Sequence, residues 1–200
     1  MAGGKNNKVK FGLNNVHYAV ISGWTTSSVT GETKPIYETP KRIPGAVNLS
    51  LDANGEAENF YADNGVYYVI NNNSGYEGDL EIALLPTIFA IDVLGEKIDN
   101  NGLLVENKDA ELAEFALLWE FDGDQHHIRH IAYRCSATRP NISGATTEES
   151  STPQTDTIPI KMMALPEGLV KAKTLPSTDD ETYDKWYNTV QMPTFTSTGD

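Results

Sequence analysis

Residues 45–55, GAVNLSLDANG, alternate apolar and polar side chains without a break and end in Asn-Gly. Strand side chains point to opposite faces with period two, so Val47, Leu49 and Leu51 face one way and Asn48, Ser50 and Asp52 the other. This describes a strand with one buried and one wet face, and Asn54-Gly55 is a turn signal. The same grammar recurs along the chain. Residues 15–22, NVHYAVIS, place Val16, Tyr18 and Val20 on one side. Residues 57–63 read as a returning strand with Phe60 and Tyr61, Asn64-Gly65 as a second turn, and 66–70 as another strand. A chain built this way is expected to be mainly β, with antiparallel sheets.

The stretch from Tyr76 to Glu96, YEGDLEIALLPTIFAIDVLGE, changes period halfway. Residues 79–85 alternate as a strand. Pro86 suits the first position of a helix, Ile88, Ile91 and Leu94 recur with Phe89 at helical spacing, and Gly95 suits the residue just past the helix end. The expected unit is a strand followed at once by a short helix. Residues 112–121 carry Phe115, Leu117, Trp119 and Phe121 at period two. A helix over 110–118 competes, because Ala, Glu and Leu dominate there. The run into Asp122-Gly123-Asp124 favours a hairpin whose partner is 127–136, with Ile128, His130, Ala132 and Arg134 on one face and Arg129, Ile131, Tyr133 and Cys135 on the other. Residues 157–165 and 169–174 read as the last strands. Thr178 and Glu181 have capping-box spacing, and Tyr183, Trp186, Tyr187 and Val190 follow at i, i+3, i+4, i+7 of a helix that Pro193 ends.

The organisation expected is an N-terminal arm over 1–14, a single domain over 15–192 and a C-terminal tail over 193–200. Two long connections interrupt the domain, 23–42 and 139–157. Unstructured connections of that length are unusual in a compact domain and tend to be functional. The first holds Trp24, Ile36 and Tyr37, large apolar groups suited to docking on a neighbour.

Chemistry is sparse. With 200 residues the chain buries a sizeable core without staples. Its single cysteine, Cys135, cannot form an intrachain bridge and reads as a buried, inert thiol. The opening MAGGKNNKVK lacks an apolar signal region, and no window approaches the ~18 apolar residues of a membrane span. The expectation is a protein made in a reducing cytoplasm. His126 and His130 would share a helix face, but on a strand they stand about 13 Å apart at ~3.3 Å per residue, too far for one zinc. His17 reads as a rim histidine. Glu56 and Glu58 are a carboxylate pair near a turn, a common feature of an acidic chain. No nucleophile elbow, P-loop or dinucleotide fingerprint occurs. A non-enzymatic protein without metal or cofactor is expected.

Charge is the stronger signal. Fifteen basic and 28 acidic residues give a formal net charge of −13, which argues against a protein that grips phosphate. The charge is also unevenly placed. Lys5, Lys8 and Lys10 stand in the arm, and Lys34, Lys41 and Arg42 lie in the first connection. Asp52, Glu56, Glu58 and Asp63 follow with no base among them. A basic end and an acidic body favour head-to-tail contact between copies, provided symmetry repeats many weak pairs.

The run TPKRIPGAVNLSLDANGEAENFYADN, then GYEGDLEIALLPTIFAIDVLG, then FALLWEFDGDQHHIRHIAYRCSATRP and STPQTDTIPIKMMA resembles the major tail protein family of long-tailed, non-contractile phages of Gram-positive hosts. The resemblance spans roughly residues 14–175. It implies a β-sandwich or barrel-like pair of packed sheets with a short flanking helix. It also implies hexameric rings stacked into a tail tube, assembled in the host cytoplasm and carried in the virion tail. The implied partners are other copies of the chain, a tape-measure protein and tail terminator or tip proteins, with viral DNA passing through unbound. On this reading Lys5, Lys8, Lys10, Trp24, Lys34, Tyr37, Lys41 and Arg42 serve ring stacking, and Asp52, Glu56, Glu58, Asp63, Asp79 and Glu81 are candidates for an acidic lumen. The alternative is a virion β-sandwich module, at the tail tip or on the capsid, recognising host carbohydrate through Trp24 and Tyr37.

Overall fold

A computed structural model of the chain describes residues 11–29, 31–55, 57–71, 73–123, 127–144, 146 and 153–195. Lys5, Lys8, Lys10, Glu56 and His126 lie outside the described residues. The strands among them are β1 (Leu13–Thr26), β2 (Thr33–Tyr37), β3 (Lys41–Arg42), β4 (Ala46–Ala53), β5 (Ala57–Ala62), β6 (Gly65–Asn71), β7 (Tyr76–Ile82), β8 (Lys97–Ile98), β9 (Leu104–Val105), β10 (Phe115–Phe121), β11 (Arg129–Ala137), β12 (Asp156–Met163) and β13 (Lys171–Lys173). Two short helices join them, α1 (Thr87–Asp92) and α2 (Asp180–Asp184). No described helix is long and apolar enough to cross a membrane.

The chain is mainly β and every described ladder is antiparallel. The strands hydrogen-bond in the order β2-β1-β10-β11-β12-β7-β4, with β13 added to β11 and β3 to β1, so they form one nine-stranded sheet. Strands from both ends of that order feed a single core. Val16 and Tyr18 of β1 meet Leu80 and Ile82 of β7, Phe115 and Leu117 of β10, and Ile158 and Ile160 of β12, with Leu49 and Leu51 of β4 packed against them. The sheet therefore bends around this core. Helix α1 packs against it with Phe89, while Val93 and Leu94 just past its end join the core, and the rings of Tyr18, Phe89 and Phe115 meet edge to face. Burial of aliphatic and aromatic surface on this scale is the main stabilising term.

A second apolar layer covers part of the sheet's other face. Ala116 and Leu118 of β10 and Ile131 and Tyr133 of β11 pack under Trp186, Tyr187, Val190 and Met192. The aromatic stripe of the C-terminal segment thus lies on the sheet, as its spacing suggested, but not as one helix. Only Asp180–Asp184 is α-helical; Asp179, not Thr178, caps it by accepting from the Thr182 amide at 2.8 Å, and tighter turns follow. Four interactions fix this segment. Tyr133 Oη donates to the Gln191 carbonyl, Tyr187 Oη donates to Glu120, the Arg129 guanidinium lies 3.8 Å from the centre of the Tyr183 ring, and His17 stacks on Tyr187.

Irregular pairing accounts for several departures from strict alternation. Phe115 faces Cys135 while Leu117 faces Ala132, so β11 holds an extra residue between them. A bulge of this kind swaps faces, and Cys135 joins Ala132 in the main core instead of sharing the Tyr133 side. A shift between Ala46 and Asn48 likewise turns Ala46 inward and leaves Val47 51% exposed. In α1 the inward face is Phe89 and Ala90, continued past the helix end by Val93 and Leu94, and Ile88 is exposed. Gly95, at φ 72°, turns the chain out of the helix, and a Cβ there would stand 2.7 Å from the Glu111 carbonyl oxygen.

The connection 23–42 is not a loop. Strand β1 continues to Thr26 and β2 returns beside it, pairing Trp24 with Pro35 and Thr25 with Lys34. Its Thr- and β-branched-rich sequence suits a ribbon as well as it suits a coil. The described part of 139–155 carries no regular element. Strands β5 and β6 form a separate ribbon between β4 and β7, turned by Asp63 and Asn64, both with left-handed φ. The turn centre is thus one residue earlier than Asn64-Gly65.

Candidate functional site, an acidic sheet face beside an aromatic cleft

The C-terminal segment packs over the β1, β10 and β11 side of the sheet. On the β12-β7-β4 side the inward residues are Ile158, Ile160 and Met162, Leu80 and Ile82, and Leu49 and Leu51. Strand parity then sends Thr157, Pro159 and Lys161, Glu77, Asp79 and Glu81, and Asn48, Ser50 and Asp52 outward. Register brings these rows together. Asp52 stands opposite Glu77, Ser50 opposite Asp79 and Asn48 opposite Glu81. On the far side Lys161 stands opposite Glu77 and Thr157 opposite Glu81. Four carboxylates and one lysine therefore share one patch of sheet.

Among the described residues none of the four carboxylates is in an ion pair. Glu81 accepts from Thr155 Oγ1 at 2.6 Å and Glu77 from Asn54 Nδ2 at 3.4 Å, both neutral donors. Like charges directly opposite each other destabilise a ladder, so the Asp52–Glu77 pair opposes folding. Several other acids in the chain are paired with bases. Arg134 holds Glu114 through two hydrogen bonds, at 2.9 and 2.7 Å, and Asp92 takes Lys41 at 2.6 Å and Tyr18 Oη at 2.8 Å. Buried Glu120 is bonded by Asn15 and Tyr187, with Arg129 Nε at 3.5 Å in ion-pair range. Glu114, Asp92 and Glu120 are thus locally paired, whereas among the described residues the acids facing outward on β4 and β7 are not.

Of the expected acidic residues, Asp52, Asp79 and Glu81 come together here. Asp63 does not; it sits exposed at the tip of the β5–β6 ribbon, and Glu58 belongs to β5. Glu77 completes the patch and was not singled out from sequence, although its i, i+2, i+4 relation to Asp79 and Glu81 was readable.

The expected stacking contacts divide differently. Tyr37 is half-buried and donates to the Tyr133 carbonyl at 2.7 Å, and burial pushes its hydroxyl pKa far up. Lys41 is bound to Asp92, and that hydrogen bond raises its pKa. Both are committed within the chain. Trp24 lies under the Arg134 guanidinium at 5.4 Å, partly exposed on the β1–β2 ribbon. Lys34 pairs with Glu32 at 3.2 Å in water, and Arg42 is exposed beside His17. Neither Trp24 nor Tyr37 lines the aromatic cleft.

A concave site lies at one end of the core. It encloses about 470 Å³ between Leu49 and Leu51 of β4, Tyr76 of β7, Trp119 and Phe121 of β10, His130 of β11 and Lys171 and Lys173 of β13. His130 stacks on Trp119 at 5.4 Å, and Lys171 Nζ stands 4.2 Å over the Tyr76 ring. Sequence reading missed this cleft because six strands distant in the chain build it, Met162 of β12 among them. Among the described residues no group of three or more His, Cys, Asp or Glu is placed to hold a metal ion. Cys135 is fully buried, and burial pushes its thiol pKa well up, away from nucleophilic use.

No protein-family model matches the chain, and no curated protein matches it.

Proposed function

We propose that the chain is the major subunit of a phage tail tube. It self-assembles into stacked rings, most simply hexameric, whose bore conducts viral DNA. The supporting observation is the patch of four carboxylates on β4 and β7, which Lys161 of β12 offsets only in part. A wall of net negative charge, repeated by symmetry, creates a negative potential along a channel, and a polyanion then slides without adhering. Such a patch opposes folding of the single subunit, so a purpose in the assembly accounts for it. A sandwich- or barrel-like tube domain with a flanking helix is consistent with a bent antiparallel sheet and α1 against its core. The exposed ribbons β1–β2 and β5–β6 supply surfaces for the two sets of contacts, within and between rings, that a stacked assembly needs.

The partners on this reading are other copies of the chain, a tape-measure protein inside the tube, and terminator and tip proteins at its ends. Purified protein, concentrated at near-physiological salt, is expected to give rings or tubes in negative-stain electron microscopy and no shift of duplex DNA in a gel. A protein that remains monomeric at every concentration contradicts the reading.

The second reading, a virion module for host carbohydrate, has the aromatic cleft in its favour. Glycan-array binding by monomeric protein would support it over the first.

A further inference from the structure

The β5–β6 ribbon and the aromatic cleft are complementary. The ribbon has no ladder to the main sheet and exposes Tyr61, Tyr67 and Tyr68 at 66%, 72% and 64%. A lone exposed aromatic needs no explanation; here Tyr68 stands opposite Phe60 and Tyr61 opposite Val66, so the ribbon presents exposed tyrosines on both of its faces, as a projection gripped from two sides would. Asp63 stands exposed at its tip, so the ribbon end is aromatic and acidic.

The cleft has the opposite character. Its floor is Trp119, Phe121 and Tyr76, and its rim carries Lys171 and Lys173. Both lysines are exposed, and among the described residues neither is in an ion pair. Its volume of about 470 Å³ falls within the ~300–1,000 Å³ typical of ligand sites. The three tyrosines of the same chain do not fill it, since they are exposed to solvent.

We infer that the cleft receives the tyrosine-bearing, acidic tip of the β5–β6 ribbon of a second copy of this chain. Donor and acceptor are different surfaces, so the contact is heterologous and every subunit gives one ribbon and takes one. Burying tyrosines against Trp119 and Tyr76 supplies affinity with little loss of side-chain freedom, and Asp63 against Lys171 and Lys173 sets direction. The inference rests on the tube reading for its closed or stacked outcome and names the contact that builds it.

Two full-length variants test it. Tyr61→Ser/Tyr68→Ser disables the ribbon and leaves the cleft; Lys171→Glu/Lys173→Glu disables the cleft and leaves the ribbon. All four positions are exposed, so both variants should fold, which circular dichroism checks. By light scattering, each is expected to raise the concentration needed for assembly by about tenfold or more. Their equimolar mixture is expected to give a dimer and nothing larger, because one working contact remains per pair. Variants that assemble like the wild type overturn the inference and leave the tube reading standing. A wild type that stops at a reciprocal dimer, lost in both variants, supports the contact and sinks the tube. A monomeric wild type sinks both, and a monomer that binds glycans through the cleft assigns it to sugar instead.

Discussion

Replacing Asp79 by Asn should stabilise the isolated subunit. Asp79 lies between Glu77 and Glu81 on its own strand, each about 6.6 Å away at ~3.3 Å per residue, and Asp52 and Lys161 are its cross-strand diagonals at roughly 7–8 Å. At 7 Å in water one pair of unit charges is worth about 0.6 kcal/mol, and a Debye length of ~8 Å at 0.15 M salt reduces it to about 0.25 kcal/mol. Three repulsions less one attraction leave about 0.5 kcal/mol opposing folding. Urea unfolding at 0.15 M NaCl should therefore show Asp79→Asn more stable by that amount. With a slope of ~2 kcal/mol/M this is a midpoint shift of about 0.25 M. At 1 M NaCl the screening length drops to ~3 Å and the gain should nearly vanish. Asp52→Asn added to it should bring the total to about 1 kcal/mol, because Asp52 directly faces Glu77. A variant less stable than the wild type, or a gain unchanged by salt, would refute the view that this face carries uncompensated charge.

Three further outcomes are expected. Gly78→Ala places a Cβ 2.0 Å from the Ser50 carbonyl oxygen, a backbone atom that cannot rotate away, so it should cost about 2 kcal/mol or more in denaturant midpoint and open the β4–β7 ladder to hydrogen exchange. Glu120→Ala strips the anion from partly buried Arg129 and the acceptor from Tyr187; a loss of about 3 kcal/mol and faster proteolysis around 183–192 are expected. His17, stacked on Tyr187, has its pKa lowered from 6.5, first by burial and then by Arg42, against the raising effects of the Asn15 carbonyl and Glu120. The unfolded chain then binds more protons between the folded pKa and 6.5, so this contribution is complete above 6.5 and lost as pH falls through that window; His17→Phe should flatten the corresponding slope of stability against pH.

Much of the sheet was legible because alternation reports directly on which side of a strand is buried. The faces of β4, β7 and β10 follow from their own residues, and the acidic row of β7 could have been read in full. Bulges were not legible. They are set by how two strands meet, and Cys135 and Val47 changed sides for that reason. The ribbon β1–β2 was hidden because Thr, Ser and Gly serve a coil and an exposed ladder equally well, while its pairing depends on Tyr37 anchoring to Tyr133 far along the chain. The C-terminal stripe showed which side chains pack but not that α2 stops at Asp184, since burial of Trp186 and Tyr187 fixes their positions without helical geometry between them. The cleft depends on topology throughout, as no local pattern relates Leu49 to Trp119 or Lys171.

Electron microscopy of the concentrated full-length protein tests self-assembly into a conduit most directly. Hollow tubes with an axial repeat of stacked rings, and a bore lined by the β4–β7–β12 face once the subunit is placed in the density, are expected. Particles that remain single subunits, or tubes with that face turned outward to solvent, would contradict it.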